Sequence, residues 1–463
     1  VVASIFIHPL PSVRRSARPL HSSQSEAPRF LCRAGHSDDA GHLFDGMRPA
    51  KRGKREAPPA SADGPTIESL PDGLLQHILG FLDARQAVRT CVLARRWRHL
   101  WQSATSLRVW EAKLAKIRAF MEHLLLLRTG SPLHTFELGL NAFRDGDGPR
   151  ANLWVRFALL CKAQVLKLGS SFPVQTGFQL DDLPLVSQHL RVLVLAGVVL
   201  KNRTCDFLSC QSLEQLDIVK CLLPCVRKIS SKTLKFLSIR NCRFNQDQKF
   251  RTIIYAPSLV SLRLDDHRCE YDYVYRAPVL DSMPLLQKAF FRLIHVTADS
   301  CTRADSGNCG LDNCNSCYGV EGDNRSVFLE GLSEAENLSL IAESKTFVFK
   351  RDLKQCPTFS NLKTLLLNDY WCVAPDFHEL NCILKHSPVL ERLTVHLFST
   401  GRKHKLRIRG SWNPAEISAA ISDHLKIVEV KCEVIDNGVV KLLKFISTFN
   451  ICFKLDEVEI LQQ

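Results

Sequence analysis

Eight segments of this chain repeat one short pattern, in outline a leucine, two other residues, then two apolar side chains separated by one residue. They are AQVLKLGS, HLRVLVLAG, SLEQLDIVKC, TLKFLSIRNC, SLVSLRLDD, ENLSLIAES, NLKTLLLND and VLERLTVHL. The alternating pairs at their centres are Leu166/Leu168, Leu193/Leu195, Leu216/Ile218, Leu237/Ile239, Leu262/Leu264, Leu338/Leu340, Leu365/Leu367 and Leu393/Val395. Alternation with period two predicts a short strand with one face on a core. Successive units stand about 21 to 28 residues apart, with one wider interval. A unit this short cannot bury its apolar face alone, so the units must stack and share a core, giving an α/β solenoid with a parallel sheet along its concave side. On that sheet Lys167, Val194, Asp217, Ser238, Arg263 and Leu366 stand between the core leucines and point outward, which makes them the candidates for contact with a target.

A second stretch, residues 68 to 108, has another period. Leu74, Leu75, Ile78, Leu79 and Leu82 recur at helical spacing after Leu70-Pro71, and Pro71 fits a first helical turn, where its missing N–H costs nothing. Asp83 is placed to cap a second helix, with Gln86 as a capping-box partner. Leu93, Trp97, Leu100 and Trp101 line a third, with Arg95, Arg96, Arg98 and His99 between them. Roughly 40 residues cannot enclose so many large apolar groups. Each one left wet forgoes about 1.5–3 kcal/mol, so a partner surface is implied, the alternative being an ordinary helical subdomain packed on the rest of the chain.

The run Leu70-Pro71-Asp72, Ile78-Leu79, Phe81-Leu82 and Ala87 through Trp101 closely resembles the plant F-box, with Ala94 where many relatives carry Ser. The resemblance implies a three-helix module that docks on the Skp-type adaptor of a cullin-based (SCF) ubiquitin ligase. By that resemblance the adaptor-binding residues are Leu70, Pro71, Leu74, Ile78, Leu79, Leu82, Val88, Val92, Leu93, Trp97 and Trp101. The repeats resemble the degenerate leucine-rich repeats of plant F-box proteins, and the segment from about residue 377 onward resembles the FBD region that closes many of them. It carries a helix, HELNCILKHSPVLERLTV, then a candidate strand pair at Ile427, Val428 and Val430, then an amphipathic helix through Val440, Leu443, Phe445 and Ile446.

The expected organisation is a basic, disordered stretch at 1–65, an F-box at 66–108, a helical linker at 109–160, repeats at 161–400 and an FBD-like cap at 375–463. Within the repeats an insertion is expected at about 297–327. The natural start is expected at Met47, with residues 1–46 as extra gene-model sequence or a processed leader; a transit peptide is the rival reading, against which Glu26, Asp38, Asp39 and Asp45 weigh. Lys51-Arg52-Gly53-Lys54-Arg55 could serve nuclear import, so the expected location is nucleus and/or cytoplasm. No apolar run is long enough to span a bilayer, and no membrane partner is expected.

A formal charge of +14 permits a nucleic-acid partner, but the basic residues are scattered between apolar positions, as on an ordinary solvated surface. Eighteen cysteines invite a disulfide framework; Cys91, Cys161, Cys210, Cys221, Cys242, Cys372 and Cys432 instead fall in or beside the apolar repeats and read as small buried hydrophobes. In the insertion Cys301, Cys309, Cys314 and Cys317 include one Cys-x-x-Cys, which alone does not make a metal site, so no metal or cofactor is expected. There is no G-x-S-x-G, H-E-x-x-H or phosphate-cradling glycine loop, and the sixteen histidines are dispersed. The expected role is therefore a non-catalytic ligase adaptor: the F-box reaches a Skp adaptor and cullin, and the repeats hold an unknown protein target for ubiquitylation. A scaffold using its F-box without ubiquitylation and a basic nucleic-acid-binding solenoid are the alternatives.

Overall fold

The computed structural model describes residues 67–128, 130–142, 147–170, 178–180, 185–201, 204–244, 251–266, 277–293, 328–343, 346–374, 376–397, 406–412, 424–432, 434–449 and 451–455. The expectations for 1–65, for the insertion and for its four cysteines lie outside these residues.

Two α-helices open the described chain, α1 (Asp72–Leu79) and α2 (Ala84–Arg89). Asp83 caps α2, its Oδ1 accepting the Arg85 N–H at 2.9 Å. The expected third helix is instead a pair of 3₁₀ turns, Arg95–Arg98 and Leu100–Ser103. Ala94 is extended (φ −153°, ψ 164°), so α2 and the turn after it do not propagate into this segment, and Ala104 (φ −56°, ψ 135°) ends it. The tighter winding stacks residues three apart, and Trp97 and Leu100 are both buried, as is Trp101.

A sheet of 14 strands follows. In chain order they are β1 (Ser106–Lys113), β2 (Thr135–Ala142), β3 (Val165–Ser170), β4 (Val192–Ala196), β5 (Gln215–Val219), β6 (Phe236–Arg240), β7 (Ser261–Asp266), β8 (Lys288–Leu293), β9 (Asn337–Ala342), β10 (Thr364–Asn368), β11 (Arg392–Leu397), β12 (Leu406–Trp412), β13 (Ile427–Cys432) and β14 (Ile451–Leu455). From β1 to β11 each strand pairs in parallel with the next in sequence, and β13 continues the stack beside β11. The parallel order ends there: β12 runs antiparallel between β13 and β14. Helix α3 (Leu114–Leu127) connects β1 to β2, and α4 (Asp147–Leu160) connects β2 to β3. Short α5 (Val348–Asp352) and α6 (His378–Lys385) precede β10 and β11, and α7 (Asn437–Ser447) follows β13. Short parallel strands, Thr204–Asp206, Lys228–Ser230, Ile253–Tyr255 and Val279–Leu280, form a separate sheet in the connections between the longer ones. This is an irregular solenoid of stacked leucine-bearing repeats behind a helical unit.

The register aligns the core into two columns. One runs Leu107, Phe136, Leu166, Leu193, Leu216, Leu237, Leu262, Ala289, Leu338, Leu365, Leu393, Val428; the other runs Val109, Leu138, Leu168, Leu195, Ile218, Ile239, Leu264, Phe291, Leu340, Leu367, Val395, Val430. All are buried. At about 25 cal/mol per Å² of apolar surface removed from water, these columns are the main source of the solenoid's stability.

The columns contain three strands absent from the sequence pattern. In β1 the pair Leu107/Val109 is followed at once by the helical period of Leu114, Ile117, Met121 and Leu124, which masks it, and β2 places Phe136 where a leucine recurs elsewhere. In β8 the core pair is Ala289 and Phe291. The sheet therefore begins at Ser106, and the stretch expected as a helical linker at 109–160 holds most of β1 and all of β2 beside α3 and α4.

Three turns out of strands are sterically specific. Gly197, Lys220 and Asn241 end β4, β5 and β6 with φ of 65°, 51° and 52°. Their N–H groups donate to Val219, Arg240 and Asp265 carbonyls on the next strand at 2.9, 2.8 and 2.8 Å. The following buried thiols of Cys221 and Cys242 bond backbone in turn: Cys221 Sγ donates to the Leu195 carbonyl at 3.4 Å, and Cys242 Sγ to that of Ile218 at 3.3 Å. Cys161, Cys210 and Cys432 are likewise buried, whereas Cys91 and Cys372 are half-buried. At Asn368 an amide takes the corresponding role: Nδ2 donates to the Ala342 carbonyl at 2.7 Å and Oδ1 accepts its N–H at 3.1 Å.

Candidate functional site

Two surfaces carry the sequence-derived candidates. The first is the helical unit at residues 67–103, and its eleven expected adaptor contacts divide by exposure. Pro71, Leu74, Val92 and Leu93 are exposed; Leu74 shows 45%, Val92 83% and Leu93 68% of its surface. Leu70, Ile78, Leu82 and Val88 are half-buried. Leu79, Trp97 and Trp101 are buried, at 1%, 6% and 7% exposed, so they hold the unit together and do not present a surface. The reason is helical periodicity: Leu75 and Leu79 lie on the inner face of α1, against the turn that carries Leu100 and Trp101, whereas Leu74 lies on the outer face. Two exposed side chains were missing from the expected set, Ile67 (54%) and Phe81 (63%). Phe81 packs edge-on against His77 at 5.0 Å, and the Arg108 guanidinium lies over its ring at 5.6 Å.

This unit is held in one piece and fixed to the solenoid by arginines. Arg96 donates to Asp72 Oδ1 at 2.8 Å and to the Leu70 carbonyl at 2.5 Å, drawing the 3₁₀ turns against the start of α1. Arg85 pairs with Glu111 on β1 at 3.0 Å and donates to the Lys116 carbonyl on α3 at 2.9 Å. Arg128, 1% exposed at the end of α3, donates to the Ala104 carbonyl at 2.9 Å. Burial pulls its guanidinium down to about 10.

The second surface is the outer face of the sheet. Register places Lys167, Val194, Asp217, Ser238, Arg263 and Leu366 in a single row, which also contains Arg108, Glu137, Phe290, Ser339, Thr394 and Glu429. Much of its charge is already paired. Glu137 lies between Arg108 at 3.4 Å and Lys167 at 2.8 Å, and Lys431 pairs with Glu429 at 3.6 Å. Near the middle, Asp265 on β7 pairs with Arg263 at 2.5 Å and Arg292 at 3.2 Å. Both guanidiniums also lie over the Phe290 ring, at 4.4 and 5.3 Å. Burial lowers the Arg292 pKa, with Asp265 opposing it. Phe290 and Arg292 escaped the sequence reading because β8 lacks the leucine pattern.

Among the described residues no helix is long and apolar enough to cross a membrane.

Comparison with known proteins bears on both surfaces. The F-box domain profile matches residues 67–108. The rice (Oryza sativa subsp. japonica) MEIOTIC F-BOX protein MOF is 29% identical over 357 residues, covering 71% of each chain. An Arabidopsis thaliana protein described as F-box/FBD/LRR-repeat is 25% identical over 376 residues, covering 74% of this chain and 79% of its own. A second Arabidopsis protein, described as F-box/LRR-repeat, is 30% identical over 158 residues, covering 34% and 33%. No solved structure matches the chain significantly.

Proposed function

We propose that this plant F-box and leucine-rich-repeat protein is the substrate-receptor subunit of an SCF-type ubiquitin ligase. The observation that carries the reading is the concentration of exposed apolar side chains on a unit matched as an F-box: Ile67, Leu74, Phe81, Val92 and Leu93. Exposed apolar side chains interspersed with arginines suit an acidic protein partner, which a Skp-type adaptor is by family resemblance.

In this reading the protein does no bond-making. The F-box attaches it to adaptor and cullin, and the outer row of the sheet holds a target. Binding both at once raises the effective concentration of target lysines near the activated ubiquitin. The arginine contacts from Arg85 and Arg128 to the first repeat fit that role, since a stiff junction keeps target and adaptor at a set separation. The paired charges along the row favour a protein target over a nucleic acid, because Glu137, Asp265 and Glu429 already neutralise neighbouring cations.

The test is a pull-down of the full chain by a Skp-type adaptor and cullin. The wild type should be captured, and Leu74→Asp with Val92→Asp should abolish capture without lowering the unfolding temperature, because both side chains already face water. Failure of the folded wild type to bind adaptor would overturn the reading; capture of adaptor without cullin would replace it with a scaffold role.

A further inference from the structure

Cys356, Cys382 and His386 bring one donor atom each within 4.8 Å of one another, and all three are half-buried. They come from two successive repeats. Cys356 follows the 3₁₀ turn Leu353–Gln355 ahead of β10, while Cys382 and His386 lie four apart at the end of α6, ahead of β11. Spacing of four along a helix puts two side chains on the same face. The two segments are already joined by backbone, Phe359 N–H donating to the His386 carbonyl at 2.8 Å.

The geometry points to a metal clip at this place, two thiolates and one imidazole binding a single Zn²⁺, with the fourth position left to water. The histidine is prepared for it. Nδ1 lies 2.8 Å from the Cys382 carbonyl, which can only accept, so Nδ1–H donates there and Nε2 is the nitrogen left to meet a metal. A backbone carbonyl orienting a ligating imidazole in this way is a recurrent feature of zinc sites. Tetrahedral zinc, with Zn–S near 2.3 Å and Zn–N near 2.0–2.1 Å, needs its donors about 3.5–3.8 Å apart. The three atoms are thus within about 1 Å of closing on the ion. Half-burial leaves a route for entry while the core packing of Cys356 and Cys382 limits their freedom.

Ligation by two thiolates requires both thiols to lose a proton on binding, so affinity should rise with pH. The ion would staple the repeat of β10 to that of β11, directly ahead of the point where the sheet turns antiparallel. The chain's one Cys-x-x-Cys, Cys314 and Cys317, supplies the natural control.

The test uses the full, reduced chain with Zn²⁺ or Co²⁺ as the only added ligand. The wild type should take up one ion that survives dialysis, release protons on uptake, show a thiolate-to-cobalt absorption band, and melt at higher temperature with zinc. Cys314→Ser with Cys317→Ser should change none of this. Cys356→Ser and Cys382→Ser should each lose the band, and His386→Gln should weaken binding more than about tenfold, since losing a ligand exceeds the usual cost of losing its orienting partner. Because His386 is half-buried, His386→Gln remains informative if a serine variant fails to fold. A wild type that binds no cobalt through thiolate would overturn the clip, as would retention of the band in folded Cys356→Ser. Loss of the band in the Cys314→Ser, Cys317→Ser variant would also overturn it, by assigning the ion to those thiols.

Discussion

Arg128 Nη2 donates to the Ala104 carbonyl at 2.9 Å, and through that bond the residue that follows helix α3 grips the chain leaving the F-box. A second nitrogen, Nη1, lies 3.4 Å from the Trp101 carbonyl. Arg128 is 1% exposed and its pKa is held below the usual arginine value by burial, yet at about 10 it stays charged at neutral pH. Replacing it with Met keeps much of the volume but takes the Arg128 donor from the Ala104 carbonyl, while the Trp101 carbonyl keeps the Ala104 N–H at 3.2 Å. The expected loss is about 1–3 kcal/mol, read as a lower denaturation midpoint. Proteolysis should then cut first between residues 100 and 106, because the junction loosens before the repeats do. A variant with wild-type stability and unchanged cleavage would show that the junction does not depend on this arginine.

The turn at Gly197 makes a sharper steric demand. A Cβ there would sit 2.4 Å from the Ser170 carbonyl oxygen, and φ is +65°. Gly197→Ala should therefore destabilise by more than about 1 kcal/mol, from the left-handed backbone alone. Lys220 occupies the equivalent turn one repeat on, at φ 51°. Lys220→Gly should relieve that strain and leave stability unchanged or slightly raised, offset by glycine's larger entropy loss. Equal destabilisation by both substitutions in a denaturant titration would refute the steric account.

Alkaline pH should weaken the fold through its thiols. Burial raises the pKa of Cys205 to about 12 and that of Cys372 to about 12, and moves Cys210 and Cys242 upward as well. In the unfolded chain these groups ionise near 9, so above that pH the unfolded state has fewer bound protons than the folded one. Stability should be unaffected by them below about pH 8, then fall by up to about 1.4 kcal/mol per pH unit per thiol as pH rises from 9 toward 12. Unfolding midpoints measured from pH 7 to 10.5 check this. A Cys205→Ala, Cys372→Ala variant should show a shallower decline, and an identical slope would exclude the buried thiols as its cause.

The alternation of leucines was enough to foresee the solenoid, its parallel sheet and the outward row from Lys167 to Leu366. Those features depend on local periodicity and on the inability of one repeat to bury itself. The F-box was legible for a related reason: its helical stripes are dense and unbroken. Periodicity could not say which stripe faces its own core. Leu79 and Leu74 belong to the same helix and look alike in sequence; only the packing of the turn that carries Leu100 and Trp101 against α1 buries the first and leaves the second open. Nor could it find β8, where Ala289 and Phe291 fill positions held elsewhere by leucine. An alanine and a phenylalanine satisfy the columns because volume is shared across neighbouring strands, a property no single segment displays. The trio of Cys356, Cys382 and His386 has the same origin. Their meeting depends on how two repeats stack, so the sequence by itself determined the repeating unit, while the tertiary structure alone decided which side chains from different units meet.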